Sequence, residues 1–344
     1  MISRKFVIQW LLIILSLGLG VAILGYLFSK TDAEETAQNL IDFGILPFLG
    51  YIAIFLLMFT FSSWRWQIII NQHVSKKNRI GLWRVYIDRL AGFSASYLTP
   101  AAQVGGEPVR IALLSTGDVR VPVKQATSSV VLDVAFELAA YVAFIVMGAT
   151  LAIYHGLGDG ESLWVIMVTL LAFLAVLLSF FYLLATGRRI SHHVFKLIPW
   201  KRATRWDRWK RSLTETEEMM TNFLREDKVL VAKVLVLSFI VMGFRMVDVF
   251  YLMYIFDVDM TFSQAFLIST LPAIALLMPI PGSVGVLEGG YAAIFAVLFV
   301  PLNPVAYVII VRARDLLFIM LGLARILAKG REFIEEKLLQ LTGN

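Results

Sequence analysis

The sequence predicts an all-α, polytopic membrane helix bundle. Three observations carry that reading: hydrophobic residues make up 59% of the 344, charged residues only 16%, and the mean hydropathy is +0.77. Soluble domains carry roughly a quarter charged residues, so a chain this poor in them has lipid as its solvent. The formal charge of +6 does not point to nucleic acid, because the basic residues lie beside apolar runs, where they act as topology signals.

Apolar runs long enough to cross a bilayer core of about 30 Å fall at residues 6–28, 45–70, 129–154, 163–186, 229–256 and 305–329. The first exceeds the length of a signal-peptide core and is followed by no A-x-A-like site, so it is expected to be retained. Two further segments, 86–114 and 262–300, are interrupted by "TPAAQVGGEP" and "PIPGSVGVLEGG". Neither interruption carries the Lys or Asp that would dissolve it in water, and the limb 86–99 is too short to span. The expected architecture is therefore six full spans plus two re-entrant broken-helix hairpins, eight hydrophobic segments in all.

Charge orients the chain. Arg4 and Lys5, then Lys76, Lys77, Arg79 and Arg84, then the dense basic block at 188–233 belong in the cytoplasm, whereas "SKTDAEETAQNLID", "HGLGDGES" and "DVDM" belong outside. This places both termini in the cytoplasm of a multi-pass protein of the plasma or inner cell membrane. The hairpin at 86–114 enters from the cytoplasm and that at 262–300 from outside, a layout that suggests an inverted repeat. Within the insertion 187–228, Trp206, Trp209, Leu213, Met220 and Phe223 recur at helical spacing among Arg205, Arg208 and Arg211. That pattern suits either an amphipathic helix on an anionic inner leaflet or a solvated helix capping the bundle.

Lipid satisfies no N–H or C=O, so broken backbone at membrane depth must lie inside protein or around a wet cavity. In the second interruption the prolines end one half-helix and another begins near Ser283 or Val284, its dipole and free N–H groups aimed into the turn, where a phosphate or carboxylate can bind. In the first, Pro100 ends a limb, "GGEP" turns, and Pro108 occupies a first helical position that tolerates proline. Glu107, Arg110, Asp133, Glu137, Arg245, Asp248, Glu288, Arg312, Arg314 and Asp315 all fall within apolar runs or these turns. A charge at a helix centre costs about 2.5–3.5 kcal/mol on insertion scales, so several together imply a polar interior. Arg245 with Asp248 and Arg312 with Asp315 are spaced to neutralise each other along one helix. Asp133 and Glu137 share a face with no cation in sequence reach, which calls for an Arg from another helix or a shared proton.

Enzyme signatures are weak by comparison. Cysteine is absent, the four histidines (His73, His155, His192, His193) form no zinc pattern, "GGEPVR" lacks a P-loop ending, and no strand precedes "GSVGVLEGG". No catalytic residue, metal or cofactor is expected.

"YLTPAAQVGGEPVRIALL", "PIPGSVGVLEGGYAAIF" and the Arg-bearing final span "VRARDLLFIMLGL" together resemble the transmembrane region of the lysylphosphatidylglycerol synthase/flippase family. The resemblance runs over nearly the whole chain and implies one flippase-like domain, 1–344, with 187–228 as a cytoplasmic insertion. Pro100, Gly105, Gly106, Glu107 and Arg110 match the first motif; Pro281, Gly282, Gly285 and Glu288 match the second. Ser283 departs from it, since relatives commonly carry Gly there; a Ser is a good helix N-cap, so the turn is expected to survive. Some relatives are fused to a cytosolic aminoacyl transferase, for which the residues after the last span leave no room, so aminoacyl transfer by this chain is not expected.

The function expected is that of a lipid flippase, with the headgroup of an anionic phospho- or isoprenoid-linked lipid in a central polar cavity. Arg110, Arg245, Arg312 and Arg314 would meet the phosphate, and Glu107 and Glu288 would balance charge or bind an amine or sugar hydroxyl. The alternatives are a membrane subunit of a lipid-modifying glycosyl- or aminoacyl-transferase system, and a non-catalytic lipid-binding scaffold. The partners expected are that lipid, anionic inner-leaflet lipids at the basic insertion, a separate cytosolic transferase, and a second copy of the chain.

Overall fold

The computed structural model describes residues 33–99, 105–116, 119–156, 160–187, 204–272, 280 and 283–342. The run at 6–28, the first part of the basic block (188–203), Pro100, Pro281 and Gly282 lie outside the described residues. Those described are all-helical, without strands. In chain order the helices are α1 (Ala33–Phe43), α2 (Ile45–His73), α3 (Leu82–Leu98), α4 (Gly106–Leu114), α5 (Val123–Tyr154), α6 (Gly160–Thr186), α7 (Thr204–Glu226), α8 (Lys228–Ile255), α9 (Phe262–Thr270), α10 (Val286–Val297) and α11 (Pro304–Thr342).

Among the described residues, α2, α5 and α8 are long and apolar enough to cross a bilayer, and their apolar cores carry no proline or glycine run that would break them. Their outward side chains are themselves apolar: Leu56, Leu57, Leu138, Phe239 and Val247 are all exposed. That inversion of the soluble pattern marks a multi-pass membrane protein.

Among the described residues, each interrupted segment contains two helices. Tyr86 to Leu114 comprises most of α3 and all of α4; the second segment comprises α9 and α10. Elsewhere the sequence reading needs correction. The acidic connection expected to be a loop contains α1, because Thr36 and Phe43, a helical spacing apart, are both buried. Asn303, just before α11, donates its side-chain amide to Thr36 at 3.0 Å.

The chain forms two compact units. The first comprises Met1–Leu56, Ile87–Arg110 and Arg245–Asn344, and the second Leu57–Tyr86 and Ile111–Phe244. In the first, α11 packs against α10 and α1, and α9 packs against α10. Ser94 of α3 donates to the Ile319 carbonyl of α11 at 2.9 Å. A Cβ on Gly322 would collide with Ser94 Oγ and the Leu90 carbonyl, so glycine permits this close approach of backbones.

In the second unit, α5 packs against α6 and α7. Ile69, Leu132, Phe136, Leu184, Met220, Phe223 and Val234 form one buried cluster, and Trp66, Ile70, Val85, Leu114, Ala126 and Val130 belong to another. Met220 and Phe223 are thus core residues, so the C-terminal half of α7 caps the helices around it while Leu213 stays 45% exposed. Arg84 holds the connection after α4: its guanidinium donates to the carbonyls of Val119 and Thr116, both at 2.7 Å, and of Leu113 at 3.2 Å. Leu113 lies in the last turn of α4, where a cation is favourable, and Thr116 and Val119 belong to the connection that follows.

Candidate functional site

In the first unit the cluster is built on "VRARD" of α11. Arg312 and Arg314 are two residues apart, about 200° around the helix, so each faces a different neighbour. Arg312 turns to α10. Its Nε donates to Glu288 Oε1 at 2.9 Å, Nη2 lies 2.8 Å from the same oxygen, and Nη2 also reaches the Ser283 carbonyl at 3.3 Å. Its guanidinium stands 5.9 Å from the Tyr97 ring.

Arg314 turns to α2 and α8. Nη1 donates to Tyr51 Oη at 2.6 Å and to Asp248 Oδ2 at 2.9 Å, while Nε and Nη2 donate to Asp315 Oδ1 at 3.1 and 2.9 Å. Four of its five N–H donors are engaged by these bonds. The Phe55 ring, 4.2 Å from the guanidinium, supports it from the side. Tyr51 in turn donates to Asp248 Oδ2 at 3.3 Å, and Tyr97 donates to Asp315 Oδ2. Arg314 and Asp315 are both buried, and burial of this kind is tolerated only when charge and hydrogen bonds are met together.

Two carboxylate oxygens in this cluster remain without a hydrogen-bond partner among the described residues, Glu288 Oε2 and Asp248 Oδ1. Glu288 is 7% exposed. It sits in the first turn of α10, where the helix dipole favours its negative charge.

The turn before α10 differs from expectation. The helix begins at Val286 rather than near Ser283, its N-cap is Gly285 at φ 81°, and no side chain caps it. Ser283 does not act as the N-cap; it lies in the left-handed region at φ 49° and is buried. A glycine at that position, as in the motif, would adopt this conformation without the Cβ penalty. The anion that meets the half-helix is the chain's own Glu288, clamped by Arg312.

Around the other turn, Glu107 and Arg110 of α4 approach to 4.0 Å. The Gly106 N–H donates to Ser96 Oγ at 3.0 Å, and a Cβ on Gly106 would overlap the Gly92 carbonyl. Gly106 is therefore a packing glycine between α3 and α4. Gly105 adjoins Thr99 in the same way. Pro108 falls within the first turn of α4, where its missing N–H has no helical acceptor anyway. Arg245, on α8, lies one turn before Asp248.

Asp133 and Glu137 belong to the second unit and have a cation of their own. Arg65 of α2 donates from Nε to Asp133 Oδ1 at 2.9 Å and from Nη2 to Glu137 Oε2 at 2.7 Å, and Nη1 lies 3.4 Å from Ser238 Oγ. Arg65 and Asp133 are fully buried. The sequence reading asked for an Arg from another helix and did not name Arg65, although a lone Arg inside the 45–70 run was the signal. Tyr51 and Tyr97 were also missed, since a tyrosine in an apolar run reads as packing. The buried pair of Arg325 with Asp88, at 2.8 Å, belongs to the same class. Among the described residues no group of three or more His, Asp or Glu could hold a metal ion.

Buried charges thus gather on "VRARD" of α11 and on Glu288 in the first turn of α10. A model of the family described as Lysylphosphatidylglycerol synthase TM region matches residues 13–322, nearly the whole chain. The chain belongs to that family. No curated protein and no solved structure matches it significantly. Membership in the lysylphosphatidylglycerol synthase TM-region family makes this a lipid-related, multi-pass membrane protein.

Proposed function

We propose that the chain is a lipid flippase, moving the headgroup of an anionic phospho- or isoprenoid-linked lipid through a polar interior while the tails stay in the bilayer. The observation that carries this reading is the Glu288–Arg312 pair at the start of α10: a buried carboxylate with one oxygen that has no hydrogen-bond partner among the described residues, next to a guanidinium that is still 19% exposed. Such a pair offers an acceptor for a hydroxyl or amine and a donor for a phosphate within one reach. Arg314, by contrast, is occupied by two carboxylates and a tyrosine, which makes it a support for the site more than a contact for the headgroup.

The topology that suits this role is six full spans and two re-entrant hairpins with inverted symmetry in a single domain, 1–344, of the cell membrane, both termini cytoplasmic and 187–228 a cytoplasmic insertion whose basic residues face the anionic inner leaflet. In that arrangement Glu107, Arg110 and Arg245 share the polar interior with the "VRARD" cluster. A separate cytosolic transferase and self-association are further elements of the proposal. The test is reconstitution in liposomes with fluorescent lipid analogues and a reductant that bleaches only the outer leaflet. The proposal expects wild-type protein to expose inner-leaflet label and Glu288→Gln to slow it at least tenfold; flipping at the wild-type rate by the variant overturns the assignment, and no flipping of any anionic lipid by the wild type overturns the function.

A further inference from the structure

A second polar feature lies in the second unit, at the C-terminal end of α2. This helix has 29 residues, about 43 Å at 1.5 Å per residue, against a hydrocarbon core of about 30 Å. Its last turns therefore stand at headgroup level. There they border an open cavity of about 430 Å³, walled by Gln67, Asn71 and Gln72 of α2 and by Arg79 and Gly81 of the following loop. Ile68 and Leu230 supply its apolar floor.

The loop is held in place by side chains of the helix. Asn71 Nδ2 donates to the Ile80 carbonyl at 3.0 Å, the Ile80 N–H donates back to Asn71 Oδ1 at 2.8 Å, and Gln67 Nε2 donates to the same carbonyl at 2.9 Å. Pinning Ile80 fixes the backbone of its neighbour, Arg79, at the cavity mouth. Arg79 is exposed, and no described residue makes an ion pair or hydrogen bond with its guanidinium. Among the described residues of the lining it is the one charge, and none of them is acidic. The acid nearest Leu230 in sequence, Asp227, is engaged in capping α8 through the Leu230 N–H at 2.9 Å. Lys76 and Lys77, in the short 3-10 turn just before Arg79, are exposed and add positive charge.

We propose that this cavity binds the phosphate headgroup of an anionic membrane lipid. Arg79 pairs with the phosphate, Gln67, Asn71 and Gln72 meet glycerol or headgroup hydroxyls, and the first acyl carbons lie on Ile68 and Leu230. A soluble phosphate has no use for that floor, and the position at the end of a spanning helix puts the mouth beside lipid. The site is separate in sequence from the basic insertion at 187–228 and does not depend on the flippase reading.

The chain has no cysteine, so Ser75→Cys, at an exposed position beside the cavity but outside its lining and with no cap hydrogen bond to lose, gives a single attachment point for an environment-sensitive fluorophore. The labelled full chain is placed in nanodiscs of phosphatidylcholine with increasing fractions of phosphatidylglycerol. The proposal expects a saturable emission change whose midpoint rises about fivefold in Arg79→Gln, the effect of one cation at an anionic surface, and returns with Arg79→Lys. Because Arg79 is exposed, Arg79→Gln should elute and melt as the wild type does. Should it not be recovered folded, the wild-type titration decides by itself, with inorganic phosphate added to pure phosphatidylcholine nanodiscs as the second arm. A response that never saturates, that is unchanged in Arg79→Gln, or that inorganic phosphate reproduces overturns the proposal.

Discussion

Replacing Arg65 by Met is the most informative perturbation of the second unit. The guanidinium is fully buried and bridges Asp133, also fully buried, and Glu137, whose side chain is 27% exposed. Met matches the aliphatic stem but leaves Asp133 in the interior without its guanidinium. Breaking a buried pair from one side costs about 3–5 kcal/mol, and the figure should fall toward the lower end because Glu137 can recruit water. At roughly 2–4 °C per kcal/mol for a unit of this size, the thermal midpoint falls by about 6–20 °C. Size-exclusion chromatography of heated, detergent-solubilised protein measures it. The triple variant Arg65→Met, Asp133→Asn, Glu137→Gln removes all three charges together and should recover most of the loss, since an apolar or neutral replacement of a whole buried cluster is close to neutral. If Arg65→Met melts within about 2 °C of the wild type, or the triple variant melts as low as the single one, the cluster does not hold the unit together in the way its geometry implies.

Two further predictions concern the breaks in the helices. Ser283→Gly relieves a left-handed φ of 49° and should raise stability by up to about 1 kcal/mol, read as a higher melting midpoint; a lower midpoint would mean that the Ser283 hydroxyl supports the turn. Arg84→Gln removes charge-assisted bonds to carbonyls in the last turn of α4 and in the connection after it, each hydrogen bond to a charged group being worth about 1.5–3 kcal/mol. Limited proteolysis should then cut between α4 and α5 in the variant before it cuts the wild type, and equal cleavage rates would refute the clamp.

Hydropathy marks lipid contact, and for that reason it located the long helices better than it bounded them. The run at 45–70 ends where α2 leaves the apolar zone, but the helix continues through Asn71 to His73. Likewise the last run stops at 329 while α11 continues to Thr342 as a charged amphipathic stretch. A helix ends where its backbone hydrogen bonds end, and hydropathy does not sense that. α1 was illegible for the opposite reason, its acidic surface hiding two buried positions, Thr36 and Phe43. At the site, the charged residues could be read because each is expensive in lipid, and their partners could not. Nothing in the spacing links Arg314 to Tyr51, 263 positions away, or Arg65 to Asp133, 68 positions away. Ser283 shows a subtler limit. The residue type suggested a cap, whereas the local backbone, set by the turn into Gly285, required a conformation that serine adopts only under constraint.

The account rests on irregular backbone and charge meeting water inside the membrane, and hydrogen–deuterium exchange of the wild-type protein in lipid nanodiscs tests that without any substitution. The Val286, Leu287 and Glu288 amides lie before the first intrahelical bond of α10, from the Gly289 N–H to the Gly285 carbonyl at 2.9 Å, and the turn at Ser283 and Gly285 precedes them. The account predicts that peptides covering this turn exchange within minutes while those from the middle of α2 stay protected for hours. Protection of the turn equal to that of α2 would mean a dry break, and would contradict a polar interior able to receive a lipid headgroup.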